Sequence, residues 1–279
     1  MFSLIKLSIL AGVTLALPRH NAQANYAHRI FHDFRSLDGS LYSKPANITN
    51  DEESAAATVQ PGYLTSDAWV NDFDIQTWGA PVTEDTPVQR SNSNANVYLD
   101  GNDGPSTHLV LRAYRNADFI STAEVRSKVH NIFYASIRVR ARVHGNPGAC
   151  AGIFTYYDDN DESDVEILTR NPPNHIHYTN QPAVDENGNK IPGASTELVM
   201  PRGAVWTEWN DHRLDWTAGL SSWYLNGELV HTKTYGVPSN PSTFMVNMWG
   251  NGGMWTGEMD IEAAAYLEIE WIEILYTTA

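Results

Sequence analysis

Beyond residue 30 no stretch keeps its apolar positions on a 3.6-residue period for three turns, whereas apolar and polar positions alternate again and again. The clearest case is residues 137–143, which predict a strand with Ile137, Val139, Ala141 and Val143 turned inward and Arg138, Arg140 and Arg142 turned outward. Residues 222–225 and 228–231 flank Asn226-Gly227, a dipeptide that accepts positive φ at both turn positions, and so predict a hairpin. Asn187-Gly188 marks a second turn. Residues 267–271 alternate until the pattern breaks at Ile272, which predicts either a bulge or a strand buried on both faces. Short strands, frequent Gly, Pro and Asn punctuation and no βαβ rhythm predict an all-β fold of two antiparallel sheets packed as a sandwich. No repeat or linker divides it.

The first residues are organised differently. A Lys-bearing start, an apolar run over residues 7–17 and small residues up to Ala24 have the parts of a secretory signal peptide. We expect residues 1–17 to be removed, with cleavage as late as 24, leaving one domain over 25–279. The run is too short to span a bilayer, and the C-terminal residues carry no hydrophobic anchor tail, so a soluble extracellular monomer is expected. Asn47-Ile48-Thr49 is a glycosylation sequon in a polar stretch, residues 44–58, that reads as a surface loop.

Charge narrows the partners. With 18 Lys+Arg against 33 Asp+Glu the chain carries a formal charge of −15, which repels phosphate backbones and anionic lipid and excludes neither neutral nor cationic partners. The single Cys150 cannot form an internal disulfide and is expected as a small buried hydrophobe. Of nine Trp, about two thirds belong in the core and the rest in a groove where they can stack on a ligand.

The segment richest in chemistry is Glu162-Ser163-Asp164-Val165-Glu166. On a strand its three carboxylates leave from one face while Ser163, Val165 and Ile167 leave from the other. Such a row raises its own pKa values and is unfavourable unless solvated, metal-bound or used for acid/base work. A solvated acidic strand is one reading. A calcium loop is another, but Ser163 stands where the helix-loop-helix motif needs Gly. Glycoside hydrolysis is the third, and it asks for two carboxyl groups roughly 5–5.5 Å apart in a configuration-retaining enzyme. The backbones of Glu162 and Glu166 lie about 13 Å apart along an ideal strand, so two long side chains must lean together on a concave sheet. Spacing alone leaves open which Glu attacks and which protonates. Glu258-Met259-Asp260-Ile261-Glu262 repeats the spacing, but it follows a Gly-rich stretch and is expected as a loop. His175 and His177 share a strand face with no third zinc ligand nearby, and His28 and His32 have helical spacing without the Glu of a metalloprotease, so the latter pair is expected at the surface.

In this setting the chain resembles glycoside hydrolase family 16 over most of residues 60–276, in the branch with an unbulged E-x-D-x-E strand shared by bacterial lichenases and secreted fungal members. Glu124-Val125-Arg126-Ser127 is similar to the family's substrate-contacting strand. Phe154-Thr155-Tyr156 resembles the approach to the catalytic strand, and Tyr178-Thr179-Asn180 the sugar-binding segment of the next one. Trp216, Trp223-Tyr224-Leu225-Asn226-Gly227, Val246-Asn247-Met248-Trp249 and Ile269-Glu270-Trp271-Ile272 follow in the family's order.

The resemblance implies a β-jelly-roll sandwich of the concanavalin A-like lectin/glucanase kind whose concave sheet forms a cleft for a β-glucan. It implies Glu162 as nucleophile, Glu166 as general acid and then base, and Asp164 as their helper. It also implies sugar contacts from Glu124, Arg126, Tyr178, Asn180, Asn247 and Trp249. No cofactor is implied for the chemistry; a structural calcium on the convex side is common, and nothing in the sequence identifies its ligands. The activity implied is a secreted retaining endo-β-glucanase acting on β-1,3 and/or β-1,4 bonds. A cell-wall transglycosylase using the same carboxylates and a non-catalytic lectin on the same sandwich are the alternatives. Two departures stand out. Ser163 replaces an apolar residue, which predicts looser packing under the catalytic strand, and the Trp often found just before the first Glu is missing.

Overall fold

The computed structural model describes residues 26–101 and 106–279. The signal segment expected at 1–17, with cleavage as late as 24, lies outside the described residues. In chain order the strands are β1 (His28–Asp33), β2 (Phe73–Ile75), β3 (Gly79–Ala80), β4 (Gln89–Asn92), β5 (Val97–Asp100), β6 (His108–Arg115), β7 (Phe119–Ser127), β8 (Ile132–Gly145), β9 (Cys150–Asp158), β10 (Asp161–Leu168), β11 (His175–Asn180), β12 (Ser195–Val199), β13 (Asn210–Thr217), β14 (Leu220–Leu225), β15 (Glu228–Lys233), β16 (Thr243–Trp249) and β17 (Ala264–Thr278). Helical turns among the described residues are three or four residues long.

Two antiparallel layers account for most of these strands. One runs β2-β7-β16-β9-β10-β11-β12 and places β10 near its middle. The other runs β15-β14-β13-β8-β17, and the far edge of β17 is shared between β6 and β1. Strand β7 links the layers: residues 119–122 pair in parallel with β4, and residues 123–127 pair with β16 and β2 in the first layer. This is the all-β sandwich that the alternation predicts.

The Arg-alternating strand behaves as its period dictates. Ile137, Val139, Ala141 and Val143 are buried and stand opposite Ile274, Ile272, Ile269 and Leu267 of β17. On the outer face Arg140 Nε meets Glu270 at 2.7 Å and Arg142 Nε meets Glu268 at 2.5 Å. The break in the pattern of β17 is a bulge, since the register slips between Ile269 and Trp271, and Trp271 and Ile272 are then both buried. The Asn226-Gly227 turn has φ values of 50° and 83°, the left-handed conformation that Asn and Gly tolerate.

Trp69, Trp206, Trp216, Trp223 and Trp271 are buried, five of the nine and one short of the two thirds expected, while Trp78, Trp249 and Trp255 border a cleft. One expectation fails at β1. His32 is not a surface residue: it is buried on a strand, with its ring nitrogens 2.8 Å from Tyr63 Oη and 2.9 Å from Asp72 Oδ2. The i, i+4 spacing with His28 is a coincidence of two strand positions. Residues 44–58 are irregular apart from a single helical turn, Asp51–Ser54, and Asn47 is exposed there. Buried Arg112 anchors that segment, donating to the Pro45 and Ala46 carbonyls and to Asn47 Oδ1, each at 2.9 Å.

Candidate active site

Across β10 the register is continuous from Glu162 to Glu166, and its only slip lies ahead of Glu162. Strand parity therefore sends Glu162, Asp164 and Glu166 to the open face and buries Ser163, Val165 and Ile167 beneath. The three carboxylates line a cleft of about 1050 Å³ together with Glu124, Arg126, Asn247 and Trp249. Gly152 stands opposite both Glu166 and Asn247, and a Cβ there would come within 2.6 Å of Asn247 Oδ1. Glycine is what lets these side chains converge.

Glu166 is held from three sides. Trp255 Nε1 donates to Oε1 at 2.9 Å, Cys150 Sγ lies 3.6 Å from the same oxygen, and Thr179 Oγ1 donates to Oε2 at 3.3 Å. Burial is the main cause that raises its pKa, and these three donors pull the other way. The raised pKa of Glu166 thus comes from desolvation first. Cys150 is buried as expected, and its thiol also faces the Glu166 carboxyl.

Glu162 and Asp164 share a hydrogen bond. Desolvation lifts Glu162 to about 7, opposed by the hydrogen bond from Asp164 and helped by the charges of Glu166, Asp159 and Glu124; desolvation and then the charge of Glu162 drive Asp164 well above the usual carboxylate range. The pair titrates as a unit. Their hydrogen bond lowers Glu162 and raises Asp164, which favours Asp164 as the donor. Gln181 Nε2 lies 3.4 Å from Asp164 Oδ2.

This arrangement makes a pH prediction. Asp164→Ala removes the donor that lowers the Glu162 pKa, so, with Glu162 in the nucleophile role the resemblance implies, the acid limb of kcat/KM is expected to move to higher pH. Asp164→Asn keeps a donor and is expected to move that limb less. A pH–rate profile of both variants checks the order; equal profiles would remove Asp164 from this role.

Two residues expected on sugars sit elsewhere. Tyr178 pairs with Val165 and Asn180 with Ser163, so strand parity places both on the inner face, 1 % and 0 % exposed. Tyr178 packs on Trp223, with ring centroids 5.5 Å apart. Asn180 Nδ2 donates to the Tyr235 carbonyl at 2.8 Å, and Asn180 Oδ1 accepts from Ser163 Oγ. That network, extended by Ser221 Oγ at 3.0 Å from Ser163 Oγ, fills the space under β10, so Ser163 brings buried hydrogen bonds in place of looser packing. The residues of β11 that do face the cleft are His177 and Thr179, followed by Gln181. Because the Tyr178 hydroxyl is buried with no hydrogen-bond partner among the described residues, Tyr178→Phe is expected to stabilise the fold by about 1 kcal/mol and leave KM unchanged. Thermal melts and steady-state kinetics test this; a raised KM would return Tyr178 to the sugar.

On the β7 and β16 side, Glu124 is buried and accepts from Trp78 Nε1 at 2.9 Å and Asn247 Nδ2 at 3.4 Å. Trp78 and Trp255 were not singled out in the sequence, and both come from segments outside β10. The second E-x-D-x-E copy lies in a loop outside the cleft, where Asn146 Nδ2 bonds Asp260 at 3.0 Å. His175 Nδ1 lies 2.7 Å from Glu197, yet no group of three or more His, Cys, Asp or Glu among the described residues is arranged to hold a metal ion. No side-chain cluster of that kind among the described residues answers the structural calcium that the resemblance implies.

Comparison with known proteins agrees with this geometry. The chain is 28 % identical over 190 residues to a β-glucanase of Paenibacillus polymyxa, covering 65 % of this chain and 73 % of that protein. It is 29 % identical over 173 residues to a β-glucanase of Paenibacillus macerans, covering 59 % and 68 %. Among solved structures, a β-1,3-1,4-glucanase (lichenase) derived from a mouse hindgut metagenome superposes with a TM-score of 0.61 at 17 % identity, covering 89 % of this chain and 99 % of that one. Bacillus licheniformis β-glucanase gives 0.59 at 19 % identity over 75 % and 93 %. At these identities the structures establish the shared fold. The family model Glycosyl hydrolases family 16 matches residues 83–273, and the chain belongs to that family.

Proposed function

We propose that this protein is a retaining endo-β-glucanase that cleaves β-1,3 and/or β-1,4 glucosidic bonds of a polysaccharide by double displacement. The observation that carries the reading is the row Glu162, Asp164, Glu166 on the floor of a long cleft, with Asp164 bonded to Glu162 and three donors on Glu166. Relatives named β-glucanase support the substrate class.

In the first step the Glu162 carboxylate attacks the anomeric carbon, and Glu166 gives its proton to the departing glycosidic oxygen. The glycosidic bond breaks as the ester to Glu162 forms. In the second step Glu166, now ionised, takes a proton from water as that water attacks the same carbon and releases Glu162. Asp164 keeps its proton and stabilises the Glu162 anion between turnovers. Glu124, Asn247 and Trp249 border the cleft and contribute sugar contacts, and Arg126 does so from the same strand as Glu124.

Three mutually repelling carboxylates, Asp164 buried and Glu162 and Glu166 partly so, cost stability that a pure lectin has no reason to bear. A transglycosylase would differ only in its acceptor. Secretion directed by residues 1–17 and glycosylation at exposed Asn47 belong to the same proposal; no helix among the described residues is long and apolar enough to cross a membrane. Reducing-end release from mixed-linkage β-glucan, laminarin, xyloglucan and cellulose, with Glu162→Gln as control, tests the activity and names the linkage. No release from any of the four contradicts it.

A further inference from the structure

Arg90 lies on β4 at the cleft wall, pinned through its backbone between Ala80 of β3 and Ile120 of β7. Its guanidinium carbon sits over two indole rings, 4.7 Å from the centroid of Trp78 and 5.1 Å from that of Trp249. Both distances are within cation–π reach. The rings are themselves fixed: Trp78 donates to Glu124, and Trp249 ends β16, paired with Cys150 of β9. One aromatic surface of Trp249 is therefore engaged by a cation of the protein itself.

The guanidinium carries five N–H donors, and among the described residues none of them has an acceptor within hydrogen-bond reach. Burial lowers the Arg90 pKa, and the nearby charge of Glu124 works against that loss. A half-buried arginine held rigidly by ring contacts, with its donors unspent at the edge of a cleft, is built for a ligand that brings oxygen acceptors. Glu124, beside it and also facing the cleft, can accept from the same ligand's hydroxyls.

We propose that Arg90 is a specificity-determining residue that reads a pair of hydroxyl oxygens on a neutral hexosyl unit lying on the β7/β16 side of the cleft, away from the scissile bond. A neutral sugar fits because Glu124, Glu162, Asp164, Glu166 and Glu197 line the same cleft and the whole chain carries a charge of −15, so a polyanionic glycan is repelled. The clamp also explains why rigid Arg is used: a lysine offers neither the planar fork nor the same stacking on two indoles. The inference rests on the glucanase reading, since it takes the cleft as a polysaccharide channel.

The test separates binding from turnover. Arg90→Met and Arg90→Lys are made in the active protein and in Glu162→Gln, and binding is measured by affinity electrophoresis in gels holding mixed-linkage β-glucan, laminarin or carboxymethyl cellulose. Arg90→Met is expected to weaken binding of the neutral glucan that the parent binds best by about ten- to a hundred-fold, and to raise KM more than it lowers kcat. Arg90→Lys should recover only part of this, with an unchanged melting curve, and it decides the matter if Arg90→Met does not fold. Neutral-glucan binding and KM equal to the parent's in a folded variant overturn the proposal. Selective loss of carboxymethyl cellulose binding also overturns it, in favour of an acidic-sugar site. If the wild type cleaves none of these polymers and the parent binds none, the glucanase reading falls and takes this inference with it; cleavage by the wild type with Arg90 variants indistinguishable from it removes the inference alone.

Discussion

Exchange of Glu162 for Gln is expected to lower glucan hydrolysis by at least about 10³-fold, because an amide cannot form the covalent intermediate. Folding should survive, and stability should rise. Burial lifts the Glu162 pKa from 4.5 to about 7, so the folded state resists the ionisation that the unfolded chain accepts freely. A group raised in this way supports the fold below its unfolded pKa, and that support is lost as pH climbs through the folded value. The amide has no proton to lose, so the variant should melt above the wild type at pH 8 and lose that advantage below pH 4.5. Inactivity accompanied by a lower melting temperature at pH 8 would make Glu162 a structural residue.

The second large effect belongs to Glu166. Its replacement by Ala is expected to slow hydrolysis of polymeric glucan by about 10²–10⁴-fold, the usual worth of a positioned general acid. The loss should shrink with aryl glycosides whose leaving group departs without a proton. Ionisation of Glu166 as pH rises removes the acid, so the wild-type rate falls on the alkaline side, and burial places that limb above the ordinary carboxylate range. In Glu166→Ala the limb should disappear. Added azide then separates the two carboxylates: in Glu166→Ala it attacks the glycosyl-enzyme and gives a β-glycosyl azide, whereas in Glu162→Ala it replaces the missing nucleophile and gives the α anomer. The reverse pairing of product and variant would exchange the two roles.

The legible parts of the molecule were those governed by a short local period. Alternation over residues 137–143 specifies which face of β8 is buried, and the Asn226-Gly227 turn needs only two residues to declare itself. The carboxylate row is visible for the same reason, since residues two apart on a strand share a face. Tyr178 and Asn180 show where this stops. Which face of β11 they occupy depends on the register between β10 and β11, set by pairing of Tyr178 with Val165 across strands, and a single strand's own residues do not encode it.

Trp255, Thr179 and Cys150 converge on Glu166 from three separate segments, so no spacing relates them. The pKa of Glu166 depends on burial, which is a property of the assembled sheet. Arg90 is invisible for the same reason, because its two indoles lie far from each other in the chain.

Glu162 and Glu166, on one face of one strand, are proposed to carry out a double displacement. Proton NMR of the first products released from the polymer that the enzyme cleaves reads this directly, before mutarotation mixes the anomers. Double displacement at a β bond makes the newly formed reducing end appear first as the β anomer, which only later equilibrates. Initial release of the α anomer would show a single displacement and contradict it.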